Sequence, residues 1–170
     1  MHRCRDERLF EGEKIMALRK CSERPIFTFT DFPCYVSQSY NVIKSDRINN
    51  LFLTGLLNSK LICFWLKHKG KMQGSNYQID NEPLSQIPIC KPSDINIIKN
   101  KVNSIISKKL KNPKSDVLEL EMQIDFIAYK LYTLTYNDCI IIDPEIEQVI
   151  SRDDYEKATI EELAEWEFKK

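Results

Sequence analysis

Residues 48–67 read Ile-Asn-Asn-Leu-Phe-Leu-Thr-Gly-Leu-Leu-Asn-Ser-Lys-Leu-Ile-Cys-Phe-Trp-Leu-Lys. A helix drawn through this stretch is apolar nearly all round, which predicts a helix enclosed by the rest of the chain. A bilayer span needs about 20 mostly apolar residues. Thr54, Gly55, Asn58, Ser59 and Lys60 interrupt the run, so it reads as the centre of a core and not as a membrane anchor. Ser45 or Asp46 stands where the N-cap of this helix is expected.

Upstream, Ile26-Phe27-Thr28-Phe29-Thr30 alternates apolar residues with Thr, a strand pattern that Asp31-Phe32-Pro33 breaks. Glu13 to Lys20 contains a second strand, and Cys34 to Ser37 and Tyr40 to Lys44 read as short strands about Ser37-Gln38-Ser39. Residues 1–12 are polar and read as a frayed terminus or linker. Downstream, Gly70, Gly74, Ser75 and Asn76 mark a loop, Tyr77 to Ile79 a short strand, and Ile87-Pro88-Ile89 an extended stop.

Two helices follow. Ser93 is the expected N-cap of the first, whose Ile95, Ile98, Val102 and Ile105 are spaced three, four, three. Lys111-Asn112-Pro113-Lys114 is a turn that no helix crosses intact. Asp116 and Glu119 have capping-box spacing, and Val117, Leu120, Ile124, Ile127 and Leu131 then repeat three, four, three, four. Two such seams predict an antiparallel helical hairpin that docks on the core or on a partner. Cys139 to Ile142 is a short apolar run, and Pro144 to Ile150 and Thr159 to Lys169 read as acidic terminal helices.

The 170 residues suit one domain with an appendage better than two full domains. The net charge of zero hides an asymmetry. Residues 1–114 hold 20 Lys and Arg against 10 Asp and Glu, whereas residues 115–170 hold 5 against 15. A basic front half fits a polyanion partner, and the acidic tail is then expected to face elsewhere. The alternative is that both are solvated faces.

Nothing in the chain assembles into a familiar catalytic motif. There is no Gly-x-Ser-x-Gly, no Gly-rich phosphate loop and no His-Glu-x-x-His. The six cysteines, at 4, 21, 34, 63, 90 and 139, form no Cys-x-x-Cys pair and read as reduced thiols of a cytoplasmic protein. With only His2 and His68 beside them, no zinc site is expected. A thiol enzyme would need Cys34 or Cys90 to meet His68 in space.

Three phrases occur in a fixed order: Leu56-Leu57-Asn58-Ser59-Lys60-Leu61, then Gln86-Ile87-Pro88-Ile89, then Leu118 to Glu121 running into Asp125 and Leu131-Tyr132-Thr133-Leu134-Thr135. With the opening strand Glu13-Lys14-Ile15 and the aromatic stretch Tyr35 to Ile43, they resemble the target recognition domain that follows the catalytic domain in TaqI-type adenine methyltransferases and fused type II restriction-modification enzymes. The resemblance spans residues 13–135. It implies sequence-specific recognition of double-stranded DNA and no catalysis by this chain. The Asn/Asp-Pro-Pro-Tyr/Phe motif of the methyltransferase and its Gly-rich cofactor loop are missing. The resemblance therefore implies that S-adenosylmethionine is bound by a separate methyltransferase or endonuclease domain, with this chain a fragment or subunit. The phrase residues Asn58, Ser59, Glu121, Asp125 and Tyr132 are expected to hold the fold rather than touch DNA.

DNA contact is expected in basic strands and loops. Lys67, Lys69 and Lys71 cluster at a helix end, followed by Gln73, Asn76, Tyr77 and Gln78. Gln and Asn can pair bidentately with adenine, and Lys can reach guanine or phosphate. Alternatively the lysines merely favour the helix C-terminus and the loop is plain surface. Arg19, Lys20 and Arg24, flanking a strand turn, form a second candidate for phosphate contact. The expected architecture is α+β. A DNA-recognition core at 13–91, a small twisted and mostly antiparallel sheet around one buried helix, leads into a helical hairpin at 92–135 and acidic tail helices at 136–170. The rival readings are a helical protein-interaction module and a thiol-dependent enzyme.

Overall fold

The computed structural model describes residues 6–22 and 24–168, with Gln73 described through its backbone alone. The expected tail helix to Lys169 and the terminal residues His2, Arg3, Cys4 and Arg5 reach outside that range.

The fold is α+β, with two three-stranded antiparallel sheets. In the first, β1 (Lys14–Leu18) lies between β3 (Phe27–Thr30) and β4 (Tyr40–Ile43), with Met16 opposite both Thr28 and Val42. In the second, β6 (Asn76–Gln78) lies between β2 (Lys20–Cys21) and β5 (Lys71–Gln73). Arg19 joins them. Its amide donates to the Ser39 carbonyl at 2.8 Å, and its carbonyl accepts the Ile79 amide at 2.8 Å. The single sheet expected from sequence is thus two sheets sharing one bent segment. Cys34 to Ser37, read as a strand, pairs with neither sheet and runs as irregular chain into a turn.

The apolar stretch forms two helices, α1 (Asn50–Leu57) and α2 (Lys60–Lys69), and not one. Three side chains impose the break. Asn58 accepts the Phe27 amide at 3.0 Å and donates to the Phe27 carbonyl at 2.7 Å. Ser59 caps α2, and the Asp125 carboxylate accepts the Lys60 amide at 2.7 Å. The cap of α1 is Asn49, whose side chain accepts the Phe52 amide at 3.1 Å. Ser45, expected in that role, instead accepts the Arg47 and Ile48 amides and shapes the preceding turn.

Helix α1 is buried on every side, as its composition requires, between the first sheet and a helical hairpin. After α3 (Asn81–Ser85), that hairpin is α4 (Asn96–Lys111) and α5 (Leu118–Leu131), broken at Pro113 as expected. Neither expected cap forms as drawn. Asp94 accepts the Asn96 amide in place of Ser93, and Asp116 accepts the Leu118 amide without a reciprocal Glu119 bond. The hairpin meets α1 at Gly55, where Ile98 and Val102 of α4 occupy the space that a side chain would fill.

The acidic C-terminal segment is packed rather than appended. It forms α6 (Tyr136–Ile142), α7 (Arg152–Lys157) and α8 (Ile160–Ala164), with a 3₁₀ turn at Pro144–Gln148. Thr135 and Asp138 make a capping box for α6, and Thr159 and Glu162 make the one expected for α8. Ile146, Tyr155 and Leu163 close a second core over Phe126 and Tyr129 of α5. Residues 6–12 are also tied down. Phe10 is buried beside Tyr35, and the Lys44 ammonium donates to the Arg8 and Glu11 carbonyls at 3.0 and 2.8 Å. Among the described residues no helix is long and apolar enough to cross a membrane.

Candidate nucleic-acid interface

Helix α2 ends in Lys67-His68-Lys69, and Gly70 leads directly into β5. The expected loop is a β-hairpin with Gly74-Ser75 as its two-residue connection. Gly74 has φ of +63°, the left-handed value that the first loop position of a tight hairpin demands and glycine supplies freely. Register then sorts the residues. Lys20 pairs with Gln78, which pairs on its other side with Lys71, making one row across three strands. Asn76 and Gln73 are paired two rows nearer the tip. The intervening row is Cys21, Tyr77 and Met72, and side chains alternate between the two faces of a strand.

Tyr77, expected at the DNA, therefore belongs to the core. It is buried, its hydroxyl lies 3.6 Å from the Cys63 thiol, and loss of water pushes its pKa up to about 12. Arg24 also stands apart from the set. Its guanidinium reaches Glu121 of α5 at 3.2 Å and braces the chain after β2 against the hairpin. Lys67 and Lys69 are exposed at the carbonyl end of α2, which favours positive charge, and the Lys69 ammonium lies 5.8 Å from the Trp65 ring. The structure brings together Arg19, Lys20, Lys71, Asn76 and Gln78, with Gln73 paired to Asn76 through the backbone.

Asp80 lies at the centre of that group and was not anticipated. Its carboxylate sits 3.7 Å from Arg19 and 3.6 Å from Lys71, and the Gln78 amide donates to both its oxygens at 3.2 and 3.3 Å. The Gln78 hydrogen bonds, then Lys71 and Arg19, hold its carboxyl below the usual aspartate range. The only hint in the sequence is one acid two residues after Gln78, at the end of a stretch rich in basic and amide residues. Beside it, Arg19, Lys20 and Gln78 line an open cleft of about 450 Å³ whose far wall is Gln38 and Ser39.

The phrase residues hold the fold together across the chain. Asn58 ties α1 to β3, and Asp125 ties α5 to α2. The Tyr132 hydroxyl donates to the Pro88 carbonyl and accepts the Cys90 amide at 3.2 Å. Glu121 receives Arg24. The third phrase thus grips the first two.

Burial pushes the Cys21 and Cys139 thiols up, the wrong direction for a thiolate. Among the described residues no group of three or more His, Cys, Asp or Glu could hold a metal ion.

A search of the curated proteins finds no match to the chain. The model of one protein family, described as the TaqI-like C-terminal specificity domain, matches residues 1–89. Those residues contain both sheets and both helices of the broken apolar stretch, and they make up more than half of the sequence. On that match, supported by the way the later phrases close on the matched part, the chain belongs to the TaqI-like C-terminal specificity domain family.

Proposed function

We propose that this chain reads duplex DNA for an adenine-specific methyltransferase or a fused type II restriction-modification enzyme, acting in the cytoplasm. The chemistry would come from a partner catalytic domain that binds S-adenosylmethionine and turns the target base out of the stack. The supporting observation is the Lys20–Gln78–Lys71 row with Arg19 beside it, a cationic, amide-bearing face on a hydrogen-bonded sheet. Cations on a rigid strand can follow phosphates, while neighbouring amides meet base edges. The interaction-module reading is less favoured, because Ile98, Val102, Ile124 and Ile127 of the hairpin are already buried within the fold.

The test is duplex binding by the full chain across a salt series. Binding is expected to be weak and to fall with salt through counterion release. Lys69→Ala and Lys71→Ala should weaken binding to all sequences alike, each reducing the log–log salt slope by about 0.9 for a lost phosphate contact. Binding that ignores salt, or none at low salt, would overturn the reading.

A further inference from the structure

We infer that the cleft between the Ser37–Tyr40 turn and strands β2 and β6 takes the edge of a base, with Gln38 as a specificity-determining side chain and Asp80 as the residue that positions its basic wall. This rests on the proposed reading of duplex DNA and names a second reading element opposite the β5–β6 hairpin.

Rigidity is the first argument. The Tyr40 amide donates to the Ser37 carbonyl at 3.2 Å, and the Ser39 amide donates to the Ser37 hydroxyl at 3.3 Å. The Ser39 carbonyl accepts the Arg19 amide at 2.8 Å, at the point where the two sheets join. Gln38 thus projects from a turn whose backbone is tied to the sheet, which fixes where its side chain starts.

Chemistry is the second. Gln38 is exposed and lines the cleft, and among the described residues its amide makes no hydrogen bond, so both its donor and its acceptor are unspent. That pair of groups matches the N6 and N7 positions of adenine in the major groove. Gln78, by contrast, has its amide nitrogen turned to Asp80 and is suited to bracing the wall.

Electrostatics is the third. Arg19 and Lys20 form the opposite wall, where phosphates would be held. A carboxylate amid cations that meet a polyanion would be a liability unless it has another task. Asp80 contacts Arg19, Lys71 and Gln78 at once, and so fixes the spacing of three side chains that would otherwise spread apart.

The experiment is selection by the full chain from a library of duplexes randomised at every position, comparing wild type, Gln38→Ala and Gln38→Glu. Gln38 is exposed, and a thermal melt checks that each variant folds. Wild type should enrich a defined sequence. Gln38→Ala should relax one position of it by about 5- to 150-fold while keeping the rest. Gln38→Glu should move the preference there from adenine toward cytosine, because a carboxylate only accepts. That switch is a readout that a structural role would not produce. For Asp80→Asn, overall affinity should rise as a negative charge is lost, while discrimination falls as Arg19 and Lys71 lose their anchor. If all Gln38 variants enrich the wild-type sequence equally, the inference fails and the DNA-reading proposal stands. If wild type itself enriches nothing, both fail.

Discussion

The Asp125 carboxylate accepts the Lys60 amide deep in the protein, and burial pushes its pKa up to about 7 despite that bond and the nearby Lys60 charge. In an unfolded chain an aspartate titrates near about 3.9. Between these values the native state binds the proton more tightly. Stability from this group is therefore fully present below about pH 4 and is lost as pH rises through about 7, on the order of 4 kcal/mol in all. Asp6, Asp80 and Asp138 are shifted down, so their contribution is lost only as pH falls below about 4, outside that window. Denaturant melts at about pH 5 and about pH 8 should show wild type more stable at the lower pH. Asp125→Asn, which keeps an acceptor for Lys60, should flatten the difference. An equal slope in both proteins would remove Asp125 as the cause. Tyr132 makes a second residue-level case. Tyr132→Phe keeps the ring and deletes only the hydroxyl that holds Pro88 and Cys90. It should cost about 1 kcal/mol in a chemical melt, the usual net worth of such bonds.

At the level of elements, α1 and α4 approach so closely because residue 55 has no side chain. A Cβ there would lie 2.5 Å from Cγ2 of Ile98 and 2.8 Å from Cγ2 of Val102. Both methyls branch at Cβ and cannot swing away without moving α4. Helix propensity alone would make Gly55→Ala stabilising by about 1 kcal/mol. Overpacking should reverse the sign and leave a net loss of about 1–3 kcal/mol, measured as a lowered denaturation midpoint. On α5 two faces are in use. Ile124 and Ile127 join the core around α1, while Phe126 and Tyr129 join the one closed by the tail. Ile127→Ala should cost roughly 2–5 kcal/mol, whereas changes at exposed Glu145 or Glu147 should cost little.

For the whole molecule, the charge asymmetry is partly neutralised from within. Arg24–Glu121, Lys60–Asp143 and Lys101–Glu165 join the basic part to the acidic part at 3.2, 2.7 and 3.5 Å. The tail is therefore a structural partner of the basic half as well as its electrostatic opposite. Deleting residues 136–170 would uncover Phe126 and Tyr129 and leave Lys60 without Asp143. The shortened chain should lose its cooperative melt and bind a hydrophobic dye, rather than persist as a stable module. A sharp, unshifted transition would show that the second core contributes nothing to the first.

The strands around Ile15 and Phe27, the enclosed character of residues 50–57, the hairpin seams and the Pro113 turn were legible in sequence, because each depends on the spacing of neighbouring residues. So were the amides and cations now collected near β6, since their chemistry belongs to the side chains themselves. The break at Asn58-Ser59 was not. It depends on Phe27 and Asp125, far away in the chain, offering the backbone partners that a continuous helix would not use. The same holds for the site. That Tyr77 turns inward while Lys20, Gln78 and Lys71 share a row follows from strand register, and that Asp80 ties Arg19 to Lys71 follows from folding. Composition determined which chemistry the chain could present. Only the tertiary structure decided which of those groups stand side by side, because distance in space is set by long-range pairing that local pattern does not encode.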